Sequence, residues 1–250
     1  MTTSTSNWLR DLRPDSAARL RLVCLPPGGG SAPVYRAIAK HIGAAVAVSA
    51  VQYPGRQDRL GEPLITDLHE LADRIADDLL ARPTTLPTAL FGHSMGATVA
   101  YETALRLTAA GHPPTTLMVS GRPAPTIPET SRLHLDTDAA LIESLERFAA
   151  DPSSVAILRT EPGLADLVLP PLRADYQAVE TYVRQANTPK LACPVVTLVS
   201  TDDPTTTIEQ AEQWHTVTTG AFSLATFPGG HFYFDTDPTS VAAEITRHLS

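Results

Sequence analysis

A chain of 250 residues with 43% hydrophobic side chains can bury a substantial core, and its length suits one α/β domain with an insertion better than two independent domains. A formal charge of −8, with no run of Lys or Arg, argues against nucleic acid as a partner. The first twenty residues lack the apolar core of a signal peptide, and the longest later apolar run, Ala44 to Val51, is too short to span a bilayer. The expectation is a soluble, cytoplasmic protein with no membrane association.

In chain order, short β-rich runs alternate with segments of helical period. The runs are R-L-R-L-V-C-L (19 to 25), A-V-A-V-S-A-V (45 to 51), T-A-L-F-G (88 to 92), T-L-M-V-S (116 to 120), P-V-V-T-L-V-S (194 to 200) and F-S-L-A-T-F (222 to 227). This rhythm predicts an α/β fold whose mainly parallel sheet carries helices on both faces. Val34, Ile38 and Ile42 share one helical face. Leu68, Leu71, Ile75 and Leu79 share another, with Asp67 after Thr66 as the cap, and Val241, Ile245 and Leu249 form a closing stripe. The N-terminal T-T-S-T-S segment reads as frayed. Cys24 and Cys193, each beside a predicted strand, read as two reduced buried thiols, and neither has a His or Cys at metal-ligand spacing.

One interval breaks the alternation. About seventy residues separate Ser120 from Pro194, longer than an ordinary connection, and most of them have helical character. Helices near Asp138 to Ala149 and Leu164 to Gln185 would form an inserted lid spanning about 126–188 of a single domain over 1–250. Pro123, Pro125 and Pro128 mark its entry, and Pro189 its exit.

The chemistry concentrates in G-H-S-M-G, Gly92 to Gly96, which follows a predicted strand and opens a helix containing Val99, Leu105 and Leu107. A serine can occupy so sharp a turn only if the residues two before and two after it lack bulky side chains, a demand Gly92 and Gly96 meet. The turn would raise the Ser94 hydroxyl above the carboxyl edge of the sheet and aim the Met95 amide into the same space, supplying a nucleophile and an oxyanion donor. A serine needs a base held by a third group, and on this type of sheet the chain order is Ser, acid, His. His231, in P-G-G-H-F-Y after the last strand, fits as base. His41, His69, His112 and His248 lie in or beside helices, and His134 and His215 are in polar segments. His93 leaves the turn in another direction.

In V-S-T-D-D-P, Val199 to Pro204, Asp202 and Asp203 compete as the acid; neighbours point different ways, so one serves His231 and the other caps the turn. The other acid position available on such a sheet, after Thr116 to Ser120, carries S-G-R. The loop P-P-G-G-G-S, Pro26 to Ser31, can bring the Gly28 amide to a bound carbonyl as second oxyanion donor. It lacks the G-K-[ST] ending and the G-x-G-x-x-G spacing of a phosphate cradle.

Several segments together resemble the type II thioesterases that accompany polyketide and nonribosomal peptide synthases. They are L-P-P-G-G-G-S-A (25 to 32), Q-Y-P-G-R-Q-D-R (52 to 59), F-G-H-S-M-G (91 to 96), V-S-G-R-P-A-P (119 to 125), L-R-A-D-Y-Q (172 to 177) with E-T-Y (180 to 182), D-P (203 to 204) and G-G-H-F (229 to 232). The resemblance covers the chain from about residue 20 onward. It implies an α/β-hydrolase fold with a helical lid and hydrolysis of acyl groups from the phosphopantetheine thiol of acyl or peptidyl carrier proteins, clearing stalled or mis-primed assembly lines. By matching positions it implies Ser94, Asp203 and His231 as triad and the amides of Gly28 and Met95 as oxyanion hole. Such chemistry requires no metal and no cofactor. One departure is visible: Pro27 and Gly28 stand where the family often has His then Ala, a change that backbone donation survives.

On this reading Leu141, Leu145, Leu167, Leu169 and Leu172 either screen an acyl chamber or simply pack the lid. Arg56 and Arg59 either meet a phosphate or acidic carrier, or pair with a neighbouring acid such as Asp58. The rivals are a carboxylesterase or lipase-like hydrolase of oxygen esters, a cyclising thioesterase or acyltransferase, and a non-catalytic hydrolase-fold protein that binds a small ligand. A monomer is expected, because no long exposed apolar pattern calls for a partner subunit.

Overall fold

The computed structural model describes residues 8–14, 17–82, 84–149 and 151–249; the T-T-S-T-S segment lies outside them. Seven strands form one sheet: β1 (Leu9–Arg13), β2 (Leu20–Leu25), β3 (Val46–Val51), β4 (Thr88–His93), β5 (Leu117–Ser120), β6 (Val195–Ser200) and β7 (Phe222–Phe227). Their spatial order is β1-β3-β2-β4-β5-β6-β7, and every pairing is parallel except that of β1 with β3. The six expected strands are present to within one residue at either end. β1 was not anticipated, because an edge strand reading L-R-D-L-R with an irregular register after Asp11 carries no alternating apolar signal.

Helices α1 (Arg36–His41), α2 (Leu68–Ala81), α3 (Met95–Ala109), α4 (Asp138–Phe148), α5 (Pro152–Ala156), α6 (Pro162–Glu180), α7 (Ile208–Glu212), α8 (Tyr233–Thr236) and α9 (Pro238–Arg247) complete the chain. Each expected face packs on the core, fully buried except at Val34 and Leu249, which are partly exposed. Leu68, Leu71, Ile75 and Leu79 of α2 pack with α3 against one side of the sheet, whereas Ile38, Ile42, Val241 and Ile245 cover the other with α1 and α9. Asp67 caps α2 by accepting a hydrogen bond from the Glu70 amide. Cys24 and Cys193 are buried free thiols, and burial raises the pKa of both.

Between β5 and β6 the chain builds α4, α5 and α6. These form a separate small core of Leu141, Ile142, Leu158, Leu169 and Leu172. α6 begins at Pro162, a residue pre-shaped for the first helical turn, and stops at Glu180 instead of reaching Gln185. The buried Glu180 carboxylate there accepts hydrogen bonds from the amides of Leu133 and His134, at 2.9 and 3.0 Å, and lies 2.6 Å from His134 Nδ1. His134 is therefore a largely buried structural strut between the start of the lid and its last helix.

Candidate active site

The sharp turn between β4 and α3 holds Ser94 at φ 55° and ψ −123°, a conformation that costs of order 1–3 kcal/mol and that surrounding contacts must impose. The Ser94 amide donates to Ser120 O at 2.8 Å, and the Ala97 amide donates to Ser94 O at 3.0 Å. A Cβ on Gly92 would stand 2.1 Å from Gly96 O, and one on Gly96 would stand 2.1 Å from Leu25 O. Backbone fills both spaces, so glycine is required at each flank for the serine to be presented.

His231 lies in the turn between β7 and α8, Asp203 in the turn after β6. His231 Nδ1 is 2.9 Å from Asp203 Oδ2, with both side chains almost wholly buried. Thr205 completes the arrangement. Its amide and hydroxyl donate to Asp203 Oδ1 at 2.8 and 2.7 Å, and its Oγ1 is 3.2 Å from His231 Nδ1. Burial alone would raise the Asp203 pKa. The hydrogen bond and charge of His231, with the two bonds from Thr205, more than offset it and hold the carboxyl below its ordinary value. An ionised Asp203 fixes the proton of a neutral His231 on Nδ1 and leaves Nε2 as acceptor. Asp202 is exposed and turns away, with Oδ2 accepting from Thr201 Oγ1 at 3.1 Å and from the Gly229 amide at 3.4 Å.

The Ser94 and His231 side chains open onto one cavity of about 810 Å³, whose wall also includes Gly28 and Met95. Pro27 to Gly30 form a tight turn in which the Gly30 amide donates to Pro27 O at 2.9 Å and Gly29 takes φ 72°. The Gly29 amide donates to Asp175 Oδ2 at 2.7 Å. Of the three glycine amides, that of Gly28 alone has no protein acceptor among the described residues. The Met95 amide belongs to the first turn of α3, where helix amides lack intrahelical partners and the dipole favours negative charge.

His93 runs beneath this layer, as its neighbouring position to Ser94 suggests. Its Nδ1 hydrogen-bonds with Ser120 Oγ at 2.8 Å, Ser120 Oγ with the Tyr233 hydroxyl at 2.6 Å, and its ring packs 4.7 Å from that of His231. Burial, followed by the charge of His231, holds the His93 pKa well below the usual histidine value. The unfolded chain therefore binds, near pH 6.5, a proton that the folded chain refuses, so stability falls as pH drops through that value. The expected slope approaches about 1.4 kcal/mol per pH unit for this one proton. Denaturant unfolding of the native protein and of His93→Gln from about pH 7.5 down to about pH 5 measures it, and equal slopes in the two would remove His93 as the source.

Of the five lid leucines, Leu145 lines the cavity. Leu141, Leu169 and Leu172 pack the lid's own core, and Leu167 is half exposed. The aromatic wall is instead built from Phe148, whose ring lies 5.1 Å from His231 and which no sequence motif marked, together with Tyr176 and Tyr182 from the quoted L-R-A-D-Y-Q and E-T-Y segments. Phe148 ends α4 and Tyr176 lies in α6, and helical period by itself does not distinguish a chamber wall from a core. Arg56 and Arg59 take structural partners. Arg56 pairs with Asp175, and Arg59 pairs with Glu62 and stacks 4.3 Å over Trp8, while Asp58 pairs with Arg10. Among the described residues no group of three or more His, Cys, Asp or Glu side chains could hold a metal ion, and no helix is long and apolar enough to cross a membrane.

A mainly parallel sheet, a strained serine between glycines after a central strand and an Asp–His pair on the loops after β6 and β7 define the α/β-hydrolase class. Residues 20–249 match the thioesterase domain family, and the chain belongs to that family. It is 41% identical over 246 residues to a probable cadicidin biosynthesis thioesterase of Streptomyces griseus, covering 98% of this chain and 67% of that protein. It is 36% identical to thioesterase PikA5 of Streptomyces venezuelae, over 97% of this chain and 85% of the relative. Among solved structures, the type II thioesterase BorB of the borrelidin biosynthetic cluster superposes with a TM-score of 0.87 at 40% identity, covering 97% of this chain and 98% of that one. The chain is thus a thioesterase, a hydrolase acting on thioester bonds.

Proposed function

We propose that this chain is a stand-alone editing thioesterase that removes aberrant or stalled acyl groups from the phosphopantetheine arm of carrier proteins in polyketide or nonribosomal peptide synthesis. The observation that carries the reading is the His231–Asp203 pair, 2.9 Å apart, opening onto the same cavity as Ser94. The names of its relatives, a biosynthesis thioesterase and a type II thioesterase of a biosynthetic cluster, support a thioester substrate within such a pathway.

In this reading His231 Nε2 takes the proton of Ser94 as Oγ attacks the thioester carbon. The amides of Gly28 and Met95 hold the oxyanion, each worth on the order of 10²–10³ in rate. Collapse expels the pantetheine thiolate, which receives the proton from His231 and leaves an acyl-serine. A water molecule, deprotonated by the same histidine, then attacks the ester carbon and frees the acid with Ser94 restored. Asp203 orients the imidazole and stabilises its protonated form. The steps need only these side chains and amides, all from one chain, so a monomer beside its carrier proteins suffices.

The test presents acetyl, propionyl, butyryl and longer acyl groups on carrier protein and on free pantetheine, beside oxygen esters of the same acids. Preferential turnover of the carrier-bound thioesters is expected. Intact thioesters together with consumed oxygen esters would sink the editing assignment and favour a carboxylesterase.

A further inference from the structure

Asp175 is a buried acid in the middle of the lid, 2% exposed, that the reaction does not consume. Its carboxylate makes three bonds. Two form a bidentate pair with Arg56, Nη2 to Oδ1 at 2.9 Å and Nη1 to Oδ2 at 2.5 Å, and the third accepts the Gly29 amide at 2.7 Å. Arg56 in turn donates from Nη1 to Gly30 O at 3.2 Å and from Nε to Pro54 O at 3.2 Å. The Tyr53 hydroxyl donates to Pro26 O at 3.2 Å. The Pro26 to Gly30 segment is thus held at three points, and one of them belongs to the lid. α6 also presses on the turn directly: a Cβ on Gly29 would meet Leu172 Cδ1 at 2.8 Å, and one on Gly28 would lie 3.6 Å from Asp175 Cβ.

A buried ion pair is a poor source of stability, because desolvation of both charges cancels most of their attraction. What the pair supplies here is geometry. By consuming the Gly29 amide and pinning Gly30 O, it sets the orientation of the peptide between Pro27 and Gly28, whose amide has no protein acceptor among the described residues. We propose that Asp175, with Arg56, is a positioning residue for oxyanion stabilisation: from α6 it clamps the Pro27 to Gly30 turn, so the Gly28 amide is aimed only while this part of the lid is seated. The inference rests on the assignment of Ser94 as nucleophile and Gly28 as oxyanion donor. It confines lid movement during turnover to the segment carrying α4 and α5, because lifting the second half of α6 would dismantle the hole.

The test uses a trifluoromethyl ketone thioether analogue of acyl-pantetheine. Its hemiketal with Ser94 places an oxyanion in the hole, and the hemiketal pKa is read by carbon-13 NMR. Asp175→Asn is expected to lower kcat about 10- to 100-fold with KM within about threefold, and to raise the hemiketal pKa by about one to two units. Arg56→Lys, which keeps the charge but loses the bidentate grip, is expected to shift both in the same direction by less, and it carries the test if Asp175→Asn does not fold. Glu102→Gln removes the charge of another buried carboxylate, one on α3 that is not part of the cavity wall; it pairs with Arg106 and accepts from the Tyr182 hydroxyl, a bond the glutamine carbonyl can keep, and it serves as the control for lost stability. Changes in kcat and hemiketal pKa no larger than in Glu102→Gln would overturn the clamp while the native adduct still forms. No hemiketal on the native protein, or full turnover by Ser94→Ala, would instead overturn the site assignment and the clamp with it.

Discussion

Ser94→Ala is expected to lower kcat toward an acyl-pantetheine thioester by at least about 10⁴-fold and to abolish the acyl-enzyme seen by mass spectrometry. The substitution removes a single oxygen. Alanine has the same Cβ as serine, so the strained turn at φ 55° gains no new clash, and the flanking contacts of Gly92 and Gly96 are untouched. KM and thermal stability should therefore change little, and the residual rate would report what the two amides achieve by themselves. Turnover within tenfold of the native protein, measured at saturating substrate, would rule out nucleophilic catalysis by this residue.

Asp203→Asn is expected to cost about 10⁴-fold in kcat, whereas Asp202→Asn should remain within about threefold of native. The reason is the division of labour between the two oxygens of Asp203. Oδ1 accepts two hydrogen bonds from Thr205 and Oδ2 faces His231 Nδ1. An asparagine keeps its carbonyl oxygen toward the Thr205 donors and turns its NH₂ group to Nδ1. That arrangement favours the imidazole tautomer with its proton on Nε2, which cannot accept the serine proton. The exposed Asp202 serves only the turn beside Gly229. Steady-state rates of the two variants decide the matter, and the reverse order would transfer the acid role to Asp202.

Much of the scaffold was legible because its signals are local. Each buried parallel strand is a short continuous apolar run, and each covering helix shows apolar residues on one face, so six strands and helices α1, α2 and α9 follow from period alone. β1 escaped because an edge strand with one face in solvent needs no such run. The serine turn was equally legible, since Gly92 and Gly96 are demanded by backbone atoms only a few residues away or on the adjoining strand. Thr205 could have been found from its place two residues after Asp203, the usual reach of an Asx turn.

What the sequence determined by itself, then, is the order of six strands with the helices over them and the glycines that permit Ser94 its conformation, consequences of steric and periodic rules acting over a few residues, while the expected Ser, acid, His order left Asp202 and Asp203 both open. The tertiary structure decided which charges meet. Arg56 finds Asp175 on α6 and not the nearby Asp58, Glu180 gathers the start of the lid around itself, and Phe148 instead of the other lid leucines faces His231. Pairings between residues so far apart in the chain, 119 positions for Arg56 and Asp175, depend on how the lid lies on the sheet, and buried charges take whichever partner desolvation leaves within reach, a choice made only when the chain has closed.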